Sequence, residues 1–217
     1  MKLEEFGLDA PDAPRPERHA FCLRTRCTAA LYERCFPGLK ANGWKIIVEC
    51  VSVARQELVK VAGVYMVQIA FDHARFAGEP VLAQKEMALA ALHSGSVRVC
   101  ESEGWPTTAF DVAKDGVIEH AYVNTWTWPK RPAWNRRRSH AALLRCDHGA
   151  ERFTASLTVH DRDGVHHHAT SAIDTDPSEF LFVPYMGSVR WTSDTRVALF
   201  DRRGTEVTSL DVATTST

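Results

Sequence analysis

The sequence predicts an α+β protein built on antiparallel sheet, and three patterns carry that reading. Short β-rich runs follow one another from His140 to the C-terminus, two β-branched runs lie in the first third, and two helical periodicities separate them. The C-terminal runs are His140 to Asp147, Arg152 to His160, Val165 to Ile173, Phe180 to Val183, Ser188 to Thr192, Arg196 to Asp201 and Thr205 to Leu210. Their close spacing between turn residues predicts a β-meander. Two of the turns, Asp161-Arg162-Asp163-Gly164 and Asp201-Arg202-Arg203-Gly204, put glycine where a tight hairpin needs a left-handed residue and aspartate where its carboxylate can bond the turn backbone.

Earlier in the chain, Pro11, Pro14 and Pro16 predict an extended N-terminal arm over residues 1–20, with a single domain over residues 21–217. A short helix is expected from Cys27 to Lys40, interrupted at Pro37-Gly38. Trp44 to Val53 and Leu58 to Asp72 are rich in β-branched and aromatic residues, and Arg55-Gln56-Glu57 between them suits the turn of an N-terminal hairpin. The second run is apolar on both faces, which predicts an interior strand. Two mid-chain helices follow. The first opens at Glu79-Pro80, carries Leu82, Leu89 and Leu92, and weakens at Ser94-Gly95-Ser96. The second is capped by Thr107 or Thr108 and turns Phe110, Ala113 and Val117 inward.

Composition narrows the function. With 45% apolar and 24% charged residues, the 217-residue chain is of globular type. A net charge of −1 gives no global reason to bind nucleic acid, so that partner is not expected. No stretch reaches the roughly 20 apolar residues a membrane span needs, and the acidic N-terminus lacks a signal-peptide core, so a soluble cytoplasmic protein is expected. Six cysteines without C-x-x-C spacing read as reduced thiols.

Two constellations stand out. If Gly164 takes the bulge position, His160 faces His166 and Thr158 faces His168, placing His160, His166 and His168 on one face opposite an apolar face of Phe153, Ala155, Leu157 and Val159. Opposed residues lie about 5 Å apart and alternate residues about 7 Å apart, so three imidazoles could converge on zinc. That trio would make a metal-dependent hydrolase; a polar hairpin tip facing solvent is the plain alternative, in which no cofactor is required. The second constellation is Trp126, Trp128, Lys130, Arg131, Trp134, Arg136, Arg137 and Arg138, all within one connection between helix and sheet. Tryptophan and arginine are the side chains most enriched at protein interfaces, and the same mixture suits single-stranded nucleic acid. A loop pinned by its tryptophans, with solvated arginines, is the plain alternative. No nucleophile elbow, phosphate loop, dinucleotide turn or H-E-x-x-H pair is present, so an enzyme is less expected than a binding protein.

The stretch Ser178-Glu179-Phe180-Leu181-Phe182-Val183-Pro184-Tyr185, followed by Gly187-Ser188-Val189-Arg190-Trp191 and the hairpin from Val197 to Val207, resembles small bacterial immunity proteins encoded beside polymorphic or contact-delivered toxins. Pro132-Ala133-Trp134-Asn135-Arg136 adds to the likeness, which covers at most the C-terminal part of the chain. The resemblance implies a cytoplasmic protein that binds one cognate toxin and blocks its active site or substrate path without chemistry of its own. It brings no shared catalytic residues. The near-neutral charge does not single out a basic nuclease as the toxin.

Overall fold

The computed structural model describes residues 2–164 and 166–212, with backbone alone for residues 166–168. The fold is α+β. In place of one domain behind an arm, the chain falls into two compact units, Met1–Asn124 and Thr125–Thr217. Their cores are separate clusters, each built on its own sheet.

The first unit holds β1 (Lys2–Leu3), β2 (Glu5–Asp9), α1 (Arg15–Cys35), β3 (Leu39–Lys40), β4 (Lys45–Val51), β5 (Val59–Val61), β6 (Val64–Ala70), α2 (His73–Gly78), α3 (Val81–Glu103) and α4 (Thr108–Glu119). The expected arm is therefore ordered. Glu5–Asp9 pairs with β4, and Pro16 sits in the first turn of a helix, where its missing N–H costs nothing. The main sheet runs β2-β4-β6-β5, with β2, β4 and β6 parallel and only β5 antiparallel. The two β-branched runs therefore do not form a hairpin with each other. Arg55 to Glu57 belong to a connection that carries the chain past β6, and the true hairpin turns at Ala62-Gly63, both in the left-handed region. Arg98 on α3 holds that connection, donating to the carbonyls of Gln68, Arg55 and Gln56.

One face of the sheet buries Phe6, Leu8, Ile46, Val48, Tyr65 and Val67 in a core shared with α1, α3 and α4. The helix α3 runs unbroken through Ser94-Gly95-Ser96, because the small residues mark a close approach and not an end. A Cβ on Gly95 would lie 2.4 Å from Val48 Cγ2. Phe110, Ala113 and Val117 of α4 are fully buried as their spacing predicts, and the Tyr32 hydroxyl donates to Phe110 O at 3.1 Å. The free edge of β2 is blunted. Glu5 N–H donates to Trp44 O, so in a parallel ladder the backbone N–H and C=O of the next residue, Phe6, point to the free edge, where they are taken by Glu33 and Arg26, themselves an ion pair at 2.7 Å.

The second unit holds β7 (Thr125–Trp134), β8 (His140–His148), β9 (Phe153–Asp161), β10 (His166–Thr175), α5 (Glu179–Phe182), a 3-10 turn (Val183–Tyr185), β11 (Ser188–Trp191), β12 (Arg196–Phe200) and β13 (Glu206–Asp211). Antiparallel sheets β10-β9-β8-β7 and β11-β12-β13 bury a common core that includes Leu144, Phe153, Leu157, Val197 and Leu199. Both glycine turns form as expected, with Gly164 at φ +79° and Gly204 at φ +86°, and with Asp161 and Asp201 each accepting a backbone N–H two residues on. Two readings change. The expected connection from Trp126 to Trp134 is a strand, and Phe180 to Val183 is a helical turn instead of a strand. An extended Phe180–Phe182 would put both rings on one side, whereas the core takes Phe182 alone.

Gly95→Ala is expected to lower stability by about 1–3 kcal/mol through overpacking, against a gain in helix propensity of at most about 1 kcal/mol. Val48→Ala in the same chain should recover part of that loss. Urea midpoints measure both, and a midpoint raised by Gly95→Ala alone would mean that α3 does not press on the sheet.

Candidate protein-binding site

The most exposed large apolar side chain described is Phe180, at 91% exposure, with Leu181 at 44% and Tyr185 at 46% close by in sequence. An isolated surface apolar residue needs no explanation, but three on one short, firmly held segment form a knob. The segment is anchored from inside. Phe182, 3% exposed, stacks on Phe153 with ring centroids 3.7 Å apart and planes 12° from parallel, and its edge meets His148. His148 Nε2 is 3.0 Å from Pro177 O, Arg202 N–H donates to Pro184 O, and Gly187 N–H donates to Phe200 O. Phe180 is thus carried on backbone fixed before and after it, so little freedom is lost when a partner covers it.

The tryptophan and arginine residues of β7 divide into two groups. Trp126 and Trp128 face the core of the second unit and are partly buried there, as pins of a strand. Trp134 lies on the opposite face and is 40% exposed. Arg136, Arg137 and Arg138 form the exposed tip of the β7–β8 hairpin. The buried Asn135 shapes that tip: its Oδ1 accepts from the N–H groups of Ser139 and His140, and its Nδ2 donates to Asp194 O. Arg137 pairs with Asp194 at 3.1 Å, and Arg162 Nε donates to Arg138 O at 2.6 Å, tying the two hairpin tips together.

Of the three histidines, His160 is partly buried. The Thr158 hydroxyl donates to Leu143 O, so its oxygen is left to accept from His160 Nε2–H at 3.3 Å. The backbone pairs His166 with His160 as expected, but a bulge sets His168 opposite Val159 and not Thr158. The side chains of His166 and His168 lie outside the described residues. Among the described residues, no group of three His, Cys, Asp or Glu is placed to hold a metal ion.

A groove of about 790 Å³ belongs to the first unit and is lined by residues that include Asp9, Arg15, Arg18, His19, Cys22 and Ile47. Cys22 and His19 sit three apart on α1 and place a thiol and an imidazole in the same groove. The thiol is poorly suited to attack. Burial and the neighbouring Asp9, which accepts its proton at 3.5 Å, push it up to about 11. Burial alone would raise the Asp9 carboxyl as well, but bonds from Arg18 and Ala10 N–H leave it below its ordinary value and charged. All six cysteines are free thiols. No helix among the described residues is long and apolar enough to cross a membrane.

Protein-family profiles, curated proteins and solved structures were each compared with the chain, and none matches it.

Cys22 in the native protein should react with iodoacetamide at pH 7.5 at least about 10-fold slower than an unperturbed thiol, with a rate that climbs toward pH 11. Asp9→Asn removes the anion that holds the proton, so it should lower the thiol pKa and speed the reaction. Mass-spectrometric labelling rates read both effects, and fast labelling of Cys22 at neutral pH would make it a candidate nucleophile.

Proposed function

We propose that this chain is a non-catalytic protein-binding protein, of the kind that binds and neutralises a cognate bacterial toxin in the cytoplasm. The observation that carries the reading is the Phe180 knob: a nearly bare aromatic on rigid backbone, next to Leu181 and Tyr185, at a position where core packing requires only Phe182. Such a side chain contributes nothing to folding in the free chain and acts as an anchor once a partner's pocket removes it from water. Full burial of one phenylalanine is worth about 1.5–3 kcal/mol, and rigid presentation lets most of that reach the affinity. The knob falls within the Ser178–Tyr185 stretch that resembles immunity proteins. The groove beside α1 adds no competing chemistry at its thiol, since Cys22 stays protonated near neutral pH.

In this reading, a toxin engages unit two through the knob, and inhibition follows from occlusion. Phe180→Ala should weaken the complex by roughly 2 kcal/mol or more, while leaving the melting temperature of the free protein within the range of a surface change. Phe182→Ala, by contrast, should cost about 3–5 kcal/mol of folding stability. The decisive experiment compares tagged wild type with the Phe180→Ala variant as bait in the native host. The expected result is one stoichiometric protein retained by wild type and lost by the variant, toxic when expressed alone and harmless when co-expressed with wild type. Identical bound proteins on both baits, or a retained partner without toxicity, would remove the reading.

A further inference from the structure

A second surface lies at the far end of the same sheet. Strand pairing sets Trp134 of β7, Ala141 of β8 and His160 of β9 in one row, and strict alternation puts all three on the face turned away from the core. The middle member is an alanine, so an indole and an imidazole flank a methyl group across two strand spacings, roughly 10 Å. From this row a groove of about 460 Å³ runs along the same face past Leu143 and Thr158 to Thr127 and Arg145. Its length, from Ala141 to Arg145, is about 14 Å at the rise of an antiparallel strand. Thr125, Thr127 and Thr158 line it together with Pro132, Ala141 and Leu143.

Cations border this groove. Arg145 stands at its far end, Lys130 and Arg131 lie where β7 leaves the ladder between Trp128 and Ala133, and Arg136 and Arg138 occupy the hairpin tip beyond Trp134. These five side chains are exposed and make no ion pair among the described residues. Arg137 is neutralised by Asp194, and the acids near the groove are Asp161 and Asp163 beside its His160 end and the exposed Asp147, opposite Thr125 and two residues from Arg145 on the same face, so that five cations stand against three acids. A chain of net charge −1 thus concentrates positive charge on one rim.

We infer that this face of the second unit binds single-stranded nucleic acid, with bases against Trp134 and along the Leu143–Thr158 groove and phosphates at Lys130, Arg131, Arg136 and Arg145. An acidic protein segment would use the arginines as well, but it sets a flat ring on the exposed indole only where it carries an aromatic residue, whereas every nucleotide brings one. Stacking planes framed by cations are what a single strand requires, because every base offers a face and every link a charge. The site is independent of the Phe180 knob. Pro177, next to the knob, is held at His148, seven residues along β8 from Ala141 and roughly 23 Å away.

Fluorescence anisotropy of the full chain with a fluorescein-labelled single-stranded dT 12-mer and the matching rU 12-mer tests this, with a labelled 12-residue polyglutamate as the competing probe. Binding to an oligonucleotide at 50 mM NaCl is expected to weaken about 50-fold by 200 mM NaCl, for the four phosphate contacts named. Trp134→Ala should weaken it at least about fivefold. Arg145→Glu, on an exposed side chain at the other end, should weaken it as well, so that an unstable Trp134 variant does not leave the question open. Phe180→Ala should leave it unchanged. No binding of either oligonucleotide at 50 mM NaCl overturns the assignment. So does polyglutamate binding as tight as the oligonucleotide and indifferent to Trp134→Ala, which would make the rim a surface for acidic protein. Neither result touches the Phe180 reading, whose test uses a different side chain and a protein partner.

Discussion

The stack of Phe182 on Phe153 is the contact on which the candidate binding surface depends. It draws a four-residue helical turn against the end of the β8–β9 pair, and the turn has room to bury only one of two aromatic residues set two apart. Phe180 is exposed for that reason. A strand through the same residues would have aligned both rings and either filled or overfilled the core. Because His148, Arg202 and Gly187 fix the backbone on either side, the exposed ring is presented and not merely tolerated.

The same unit uses its other end differently. There the shape of the hairpin tip comes from one buried amide, Asn135, whose two polar ends bond three backbone groups, the N–H of Ser139 and of His140 and the C=O of Asp194. With the tip so held, three consecutive arginines are placed by the backbone without any need for ion pairs to hold them. Among the described residues, only Arg137 of the three acquires a carboxylate partner. Local charge on this chain is therefore a matter of where hairpins end, and the overall balance of charge says little about it.

In the first unit the governing constraint is distance. Gly95 lets α3 lie directly on Val48, while the Arg26–Glu33 pair closes the outward edge of β2 by occupying both backbone groups of Phe6. The unit thus covers one face of a largely parallel sheet with helices and caps its edge from a side chain of the same helical layer. The groove that remains at the β2 end contains a thiol next to a carboxylate, an arrangement that keeps the sulfur protonated.

What the sequence determined alone was whatever depends on short-range patterning. The α+β class, the inward face of α4, six of the seven C-terminal strands and both aspartate–glycine turns were legible because alternation, helical spacing and turn chemistry act over a few residues. Tertiary structure decided the rest. Whether two β-branched runs pair as a hairpin or lie parallel depends on where β5 inserts, which local preference does not encode. Glycine in α3 reads as a break until Val48 is seen beneath it. Trp126, Trp128 and Trp134 look alike in a string, and only pairing with β8, including the departure after Trp128, sends two inward and one outward. The exposure of Phe180 follows from which ring the core accepts, a choice made by Phe153 across the fold and therefore invisible from residues 178–185 alone.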